Sequence, residues 1–260
     1  ITISEFFRRH SPLTVGDPIK LTCDVHKSFV KCTGIDETLD HFFGWGQMLI
    51  ADFDDLDKNM ADASSVFRNV KDLHEFDDIS YLDDEQREIL HRFFSNFTDN
   101  GNTELKQRFL RLWSHIEDIY NDFRSRLREQ SIAYEGMLYR DVATNPAVDY
   151  HYDTYIFVGF NVLQKVEQEI FLRLQKDGKA RFYWDFDDYY MSDDSNASHA
   201  NEAGHYVSQY IRQFPNELDN SDADIYHNFK RNKNITFVSA STENVQARYV
   251  NDWLKENYRY

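Results

Sequence analysis

Apolar residues recur at steps of three and four along most of the first part of the chain, a spacing that places them on one face of an α-helix. The segments with this spacing are residues 37–59, 82–97, 105–127 and 133–143. Asn145-Pro146 follows the last of them, and proline disfavours the helical conformation in the residue before it. The pattern therefore predicts an all-helical part that ends near residue 148.

After Pro146 the pattern changes to short apolar runs that alternate with helical segments. The runs are residues 155–158, 180–184 and 235–238, and the helical segments are residues 162–174, 200–214 and 243–255. Short apolar runs bounded by turn residues are typical of buried strands, and strands that alternate with helices form a parallel sheet. We expect an α/β fold, α+β overall, with a helical domain over 1–148 and an α/β portion over 149–260.

Composition and charge narrow the classes of function. Hydrophobic residues make up 41% of the 260, which is enough for a sizeable core and excludes wholesale disorder. The 29 basic and 45 acidic residues give a net charge of −16, a field that repels phosphate backbones and anionic membranes. No apolar run approaches the roughly 20 residues that span a bilayer. Cys23 and Cys32 are expected to be reduced thiols, as in a cytoplasmic protein.

Common phosphate and zinc motifs are absent from the sequence. The only Gly-Lys pair, Gly178-Lys179, is followed by Ala180 instead of the Ser or Thr of a P-loop. Two cysteines without paired histidines do not make a common zinc site. The chain is therefore expected to bind neither a nucleotide through a P-loop nor a structural zinc ion.

Two acidic clusters are candidates for a divalent metal. Asp185, Asp187 and Asp188 follow the predicted strand 180–184, and sites in α/β proteins lie at the carboxyl ends of strands. We therefore name Asp185 and Asp187 as candidate metal ligands, with a solvated acidic loop as the alternative. The second cluster, on the predicted helix 37–59, is interpreted as a solvated face; it contains Asp52, Asp54, Asp55 and Asp57.

Two further patterns bear on nucleic acids. Arg124 and Arg128 lie four positions apart on the long third predicted helix, whose apolar positions run from 105 to 127, and therefore share one face. They are candidates for contacts to phosphate, with a mixed-charge solvated face as the alternative. Asp177-x-Lys179 fits the loose Asp/Glu-x-Lys pattern of metal-dependent nucleases, in which two acids hold magnesium and a lysine lies beside the attacking water. Asp149 or Asp153 would then supply the upstream acid.

Several longer phrases occur in a characteristic order. They are ITISEFF (1–7), FGWGQMLIADFDDLDK (43–58), AYEGMLYR (133–140), IFVGFNVL (156–163), FYWDFD (182–187) and the segment 235–254. Together these phrases resemble the AddB-like proteins of bacterial recombination, which join a superfamily 1 helicase-like region to a C-terminal PD-(D/E)XK nuclease domain. The resemblance covers nearly the whole chain.

The resemblance implies an interior piece of such a protein: a helical insertion, a RecA-like parallel β-α-β region and the start of the next domain. It implies a cytoplasmic role in double-strand break repair beside an AddA-like helicase/nuclease subunit, with DNA bound by the full-length complex. Working helicases carry an acidic pair after the strand that matches residues 155–158, where this chain has Gly159-Phe160-Asn161. We therefore expect a non-catalytic scaffold without a cofactor of its own, although the full-length protein could use Mg²⁺.

Two other functions stay open from the sequence. The first is a metal-dependent DNA nuclease in its own right, built on the Asp177-x-Lys179 pattern or on the Asp185 cluster. The second is a protein-interaction module formed by the helical part. Magnesium-dependent DNA cleavage would identify the first, and partner binding without any effect of DNA or metal would identify the second.

Overall fold

A computed structural model of the protein describes residues 1–72, 113–191, 202–218 and 223–258, and shows a mixed α/β fold with short parallel strands. The α-helices are α1 (Ile3–Arg9), α2 (Pro18–Thr33), α3 (Leu39–Lys58), α4 (Ala63–Asp72), α5 (Ile116–Glu129), α6 (Glu135–Thr144), α7 (Lys165–Lys176), α8 (Asp188–Met191), α9 (His205–Gln213) and α10 (Glu243–Asn257). The strands are β1 (Thr14–Val15), β2 (Ile132–Ala133), β3 (Tyr155–Val158) and β4 (Ala180–Tyr183). Two 3₁₀ helices span Glu202–Gly204 and Ala223–Tyr226.

The chain divides into two compact units. The first contains Ile1–Trp184 and Ile211–Glu217, and the second contains Asp185–Tyr210 and Leu218–Tyr260. The boundary predicted near residue 148 falls inside the first unit.

Helices α2, α3, α5 and α6 form the helical core of the first unit. Asp17 accepts hydrogen bonds from the amides of Ile19 and Lys20, and this cap lies next to Pro18, which favours the first helical position. Gly34 ends α2 in the left-handed conformation at φ 68°, where a side chain would be strained. The apolar faces of these helices supply the fully buried Phe29, Phe42, Phe53, Phe123 and Leu127.

Helices α3 and α6 approach closely at Gly136. A Cβ atom built on Gly136 would lie 2.3 Å from the backbone carbonyl oxygen of Asp54, which is closer than any real contact. Only glycine fits here, so the AYEGMLYR phrase packs directly on the DFDDLDK phrase. Two of the phrases that carry the family resemblance are therefore neighbours in space.

The β-α-β unit of the first unit was predicted correctly. β3 covers the expected residues 155–158 and pairs in parallel with β4, from Tyr155 opposite Ala180 to Val158 opposite Tyr183. Helix α7 connects the two strands, and Phe171 on it packs on Phe157 and Phe182 at ring-centroid distances of 4.0 and 5.3 Å. A second parallel pair, β1 with β2, was not predicted, because two-residue strands leave no periodic signal.

Other predicted elements had mixed outcomes. The helices over 37–59, 133–143 and 243–255 are confirmed as α3, α6 and α10. The helix over 82–97 and the first part of the helix over 105–127 lie outside the described residues. The strand over 235–238 is wrong, because residues 232–240 have no regular secondary structure and Phe237 is 93% exposed.

Within the described ranges, no helix combines the length and the apolar character that crossing a membrane requires.

Candidate functional site

The acidic residues of α3 are not one solvated face. Asp52 and Asp55 are exposed, as the sequence predicted, but Asp57 is completely buried and Asp54 is half-buried. The prediction of a solvated cluster is therefore wrong for Asp57. Its carboxylate points into the space between α3, α5 and α6, where it forms the most extensive buried polar contacts of the described residues.

Four side chains donate hydrogen bonds to Asp57, and together they form what we call the Asp57 cluster. Tyr120 Oη donates to Oδ1 at 2.6 Å, and Tyr134 Oη donates to Oδ2. Nη1 of Arg124 and Nη1 of Arg140 both donate to Oδ1 at 3.2 Å. A buried carboxylate is tolerated when it is paired and hydrogen-bonded, and both conditions are met here by the protein's own groups.

The two tyrosines of the Asp57 cluster remain protonated at neutral pH. Burial and the hydrogen bond to Asp57 raise the pKa of Tyr120 to about 12. Burial and the nearby Asp57 charge also raise the pKa of Tyr134 well above that of an ordinary phenol. Since both phenols keep their protons, they act as hydrogen-bond donors, and neither is suited to general-base chemistry near pH 7.

The two predicted phosphate-contact residues have different environments. Arg124 is only 13% exposed and is shared between Asp57 and Asp141, with Nη2 at 3.2 Å from Asp141 Oδ1. Arg128 is 48% exposed and donates to both carboxylate oxygens of Asp141, at 2.9 and 3.1 Å. Asp141 therefore joins the two arginines, and of the pair only Arg128 presents a substantial part of its side chain to solvent. A phosphate contact by either arginine stays a prediction.

A second set of polar contacts holds α6 to α3 beside the Asp57 cluster. The amide of Gly136 donates to Asp54 Oδ1, and Lys58 lies 2.7 Å from Asp54 Oδ2 and 3.3 Å from Glu135 Oε2. Arg8 on α1 also pairs with Glu135 at 2.9 Å. The polar residues of the DFDDLDK and AYEGMLYR phrases are thus used to join helices.

The predicted metal ligands Asp185 and Asp187 lie in the second unit. Oδ1 of Asp187 accepts from the amide of Tyr189 at 3.0 Å, and Oδ2 accepts from the amide of Phe229 at 2.7 Å. Desolvation opposes ionisation of Asp187, but these hydrogen bonds outweigh it and leave its pKa below the usual value. Asp185 is exposed. Among the residues that the structure describes, no three His, Cys, Asp or Glu side chains are grouped to hold a metal ion, and a metal at Asp185 and Asp187 stays a prediction.

The Asp177-x-Lys179 pattern lies at the start of β4 in the first unit. Asp177 caps the end of α7, and Gly178 follows in the left-handed conformation at φ 70°. Lys179 Nζ donates to the backbone carbonyl of Tyr150 at 2.6 Å. The lysine of the loose nuclease pattern is therefore used to anchor the segment that precedes β3.

Sequence reasoning missed the Asp57 cluster. Asp57, Tyr134 and Arg140 were visible in the DFDDLDK and AYEGMLYR phrases, whereas Tyr120 and Arg124 lie on α5, outside both phrases. Helical periodicity gives no reason to separate Asp57 from Asp55. The available signal was that one phrase is rich in aspartates and the other contains tyrosines and an arginine, and that no known motif accounts for either.

The whole chain was also compared with protein-family models, with curated proteins and with solved structures. None of the three comparisons finds a match.

Proposed function

We propose that this chain is an interior part of an AddB-like helicase/nuclease subunit and serves as a non-catalytic scaffold during the processing of DNA double-strand breaks. The resemblance of six phrases to that family is the starting point. Two of those phrases pack on each other through Gly136 and the Asp57 cluster, which supports a common structural purpose for them.

The carboxyl end of β3 is the observation that carries the proposal. In a RecA-like region, a strand of this kind ends in acidic residues that hold magnesium and activate water. Here β3 ends at Val158 and turns at Gly159, with φ 79°, into Phe160 and Asn161. A parallel β-α-β unit without a carboxylate at those positions fits a RecA-like scaffold that does not hydrolyse ATP.

The Asp57 cluster supports the scaffold role in a second way. Its charged groups are paired with one another, and its phenols are protonated, so they contribute rigidity between α3, α5 and α6. A catalytic site would instead leave a group free to act on a substrate. In the proposed role, the chain supports an AddA-like partner subunit, and DNA and Mg²⁺ are bound by the full-length complex.

A cleavage and ATPase assay tests this proposal. The 260-residue chain is incubated with a fluorescent forked duplex over a range of salt, with and without Mg²⁺ and ATP. We expect intact DNA, no ATP hydrolysis and no effect of the Asp185→Ala or Lys179→Ala substitution. Magnesium-dependent cleavage that disappears in Asp185→Ala or Lys179→Ala would overturn the scaffold role and identify a metal-dependent nuclease. ATP hydrolysis above the buffer rate would contradict it as well.

A further inference from the structure

Strand β3 has one edge that no other strand covers within the described residues. Its other edge pairs with β4, and the far edge of β4 is covered in turn, because the amide of Glu217 donates to the carbonyl of Phe182 at 2.8 Å. In the part of the chain that the structure describes, the sheet therefore continues beyond β4 but stops at β3. An open edge presents unpaired backbone groups, which are a template for pairing with another strand.

The backbone groups at this open edge follow from the pairing of β3 with β4. The amide of Tyr155 donates to the carbonyl of Lys179 at 2.7 Å, so the backbone groups of Tyr155 point toward β4. Successive residues of a strand direct their N–H and C=O groups to opposite edges, so those of Ile156 and Val158 point away from β4. The N–H and C=O groups of these two residues are therefore available to a further strand.

A groove of about 350 Å³ follows the open edge. All four residues of β3 line it, and successive side chains of a strand point to opposite faces, so a groove that touches all four runs along the edge of the strand. The rest of the lining is Ile1, Thr2, Ile3, Phe6 and Phe160. An open strand edge beside space for alternate side chains is the arrangement that binds an extended peptide by strand addition.

The chemistry of the groove favours an apolar segment with basic ends. No charged side chain lines the groove, and Ile156 and Val158 are 63% and 62% exposed. Open edges are commonly protected by a lysine or a proline, and β3 has neither. Asp153 is exposed two positions before β3, and no cation of the described residues forms an ion pair with it. A basic residue at the end of the bound segment would therefore meet a complementary charge.

From this arrangement we infer that the open edge of β3 is a docking surface for an extended apolar segment of a partner protein, flanked by basic residues, which adds to the sheet as a further strand. Its backbone would pair with Ile156 and Val158, and alternate side chains would enter the groove. A second copy of this chain is disfavoured as the occupant, because two chains with a net charge of −16 repel each other. The surface lies within the first unit and would exist whether or not the chain acts in DNA processing.

The test is fluorescence anisotropy of the 260-residue chain with a labelled peptide of about eight residues, the length of an ordinary strand. The peptide alternates valine and threonine and has a lysine at each end. The control peptide has the same sequence with N-methyl groups on two consecutive central residues, which blocks both edges of its strand. Because strand addition gains its affinity from main-chain hydrogen bonds, we expect the control peptide to bind about tenfold more weakly or not at all.

Substitutions in the protein test the groove and the edge separately. Ile156→Asp places a charge in the apolar groove and should weaken binding of the unmethylated peptide about tenfold. Ile19→Asp is the matched control, because Ile19 is 62% exposed, lies on α2 and does not line the groove. Val158→Pro removes one donor from the open edge and spares the hydrogen bonds to β4, so it should weaken binding about two- to tenfold.

Hydrogen exchange followed by NMR tests the pairing at individual amides. The amides of Ile156 and Val158 should exchange quickly in the free chain and slowly when the peptide is bound. The amide of Phe157 points toward β4 and should exchange slowly in both states. Slow exchange at Phe157 in the Ile156→Asp chain also shows that β3 is intact, which distinguishes a lost contact from a lost fold.

Several results would overturn the inference: no binding of the unmethylated peptide, equal affinity for the two peptides, equal affinity of the Ile156→Asp and Ile19→Asp chains, or unchanged exchange at Ile156 and Val158. Dimerisation in analytical ultracentrifugation that Val158→Pro abolishes would overturn it as well, since a second copy would then cover the edge. Failure of the docking surface leaves the scaffold role standing, and magnesium-dependent cleavage would remove the scaffold role without changing the peptide result.

Discussion

The two compact units use their aromatic and charged residues in opposite ways. The first unit buries rings such as Phe29, Phe42 and Phe123 completely and pairs its charges inside the Asp57 cluster. In the second unit, α10 has no buried residue along its whole length, and Phe229 and Phe237 keep much of their surface exposed. The first unit therefore gains stability from burying and pairing these residues, while the second leaves many of its apolar side chains exposed.

The largest effect is expected in the Asp57 cluster. Asp57→Asn keeps the shape of the side chain but leaves the half-buried Arg124 and Arg140 without the fully buried counter-ion that they share, and only Arg124 retains a second one, Asp141. Removing one partner of a buried ion pair costs about 3–5 kcal/mol. Urea unfolding, monitored by tryptophan fluorescence, should therefore give a free energy of unfolding that is lower by about that amount.

Asp55→Asn is the matched control, because Asp55 is exposed on the same helix two positions away. We expect its free energy of unfolding to stay within about 0.5 kcal/mol of the unaltered chain. A loss below about 1 kcal/mol in Asp57→Asn would contradict the assignment of the cluster as the main polar support of the first unit.

A pH-dependent effect of intermediate size is expected from Tyr120. Its pKa is raised to about 12 from 10.0, so it contributes stability that is fully present below pH 10 and is lost as the pH rises through 12. A shift of this size corresponds to about 2–3 kcal/mol. Tyr120→Phe removes this contribution, so the unaltered chain should be the more stable near neutral pH, and the difference should shrink between pH 10 and 12.

The measurement is the urea midpoint of both chains at pH 8, 10 and 12, with ultraviolet titration of the phenols to follow ionisation. The comparison cancels the buried tyrosines that lie outside the Asp57 cluster, and Tyr134 is the one whose surroundings change, because it shares the Asp57 carboxylate with Tyr120. A difference that stays constant across this range would show that Tyr120 ionises as readily in the folded chain as in the unfolded one.

The smallest change in stability is expected for Leu254 on α10, which is compared with a buried leucine of the first unit. Leu254→Ala removes a side chain that is 43% exposed, and the free energy of unfolding should change by no more than about 0.5 kcal/mol. Leu127→Ala removes the same atoms from a fully buried position on α5 and should cost about 2–5 kcal/mol. Equal losses in the two variants would mean that α10 is covered, and the contrast between the units would then be wrong.

Local signals in the chain were enough for several elements of the fold. β3, α7 and β4 were predicted because each carries its own periodicity and is bounded by turn residues such as Gly159 and Gly178. Helix α3 was predicted for the same reason. These signals depend only on residues that are close in sequence, so they can be read without knowing what packs against what.

Strand 235–238 shows the limit of such signals. Its apolar run has the composition of a strand, but a strand exists only when a partner supplies hydrogen bonds, and no partner is present among the described residues. The two-residue pair of β1 and β2 is the reverse case, since its strands are too short to carry a pattern and only the close approach of residues 14 and 132 forms them.

The sequence by itself determined the helical periodicity, the β-α-β order and the absence of a carboxylate after β3, all of which are properties of short segments. Only the tertiary structure decided that Asp57 is buried while Asp55 is solvated, and that Phe229 stacks on Tyr189. The contacts of Asp57 join residues 63, 77 and 83 positions apart in the chain. Burial and charge pairing over such separations depend on how helices pack, and that information is spread over the whole unit.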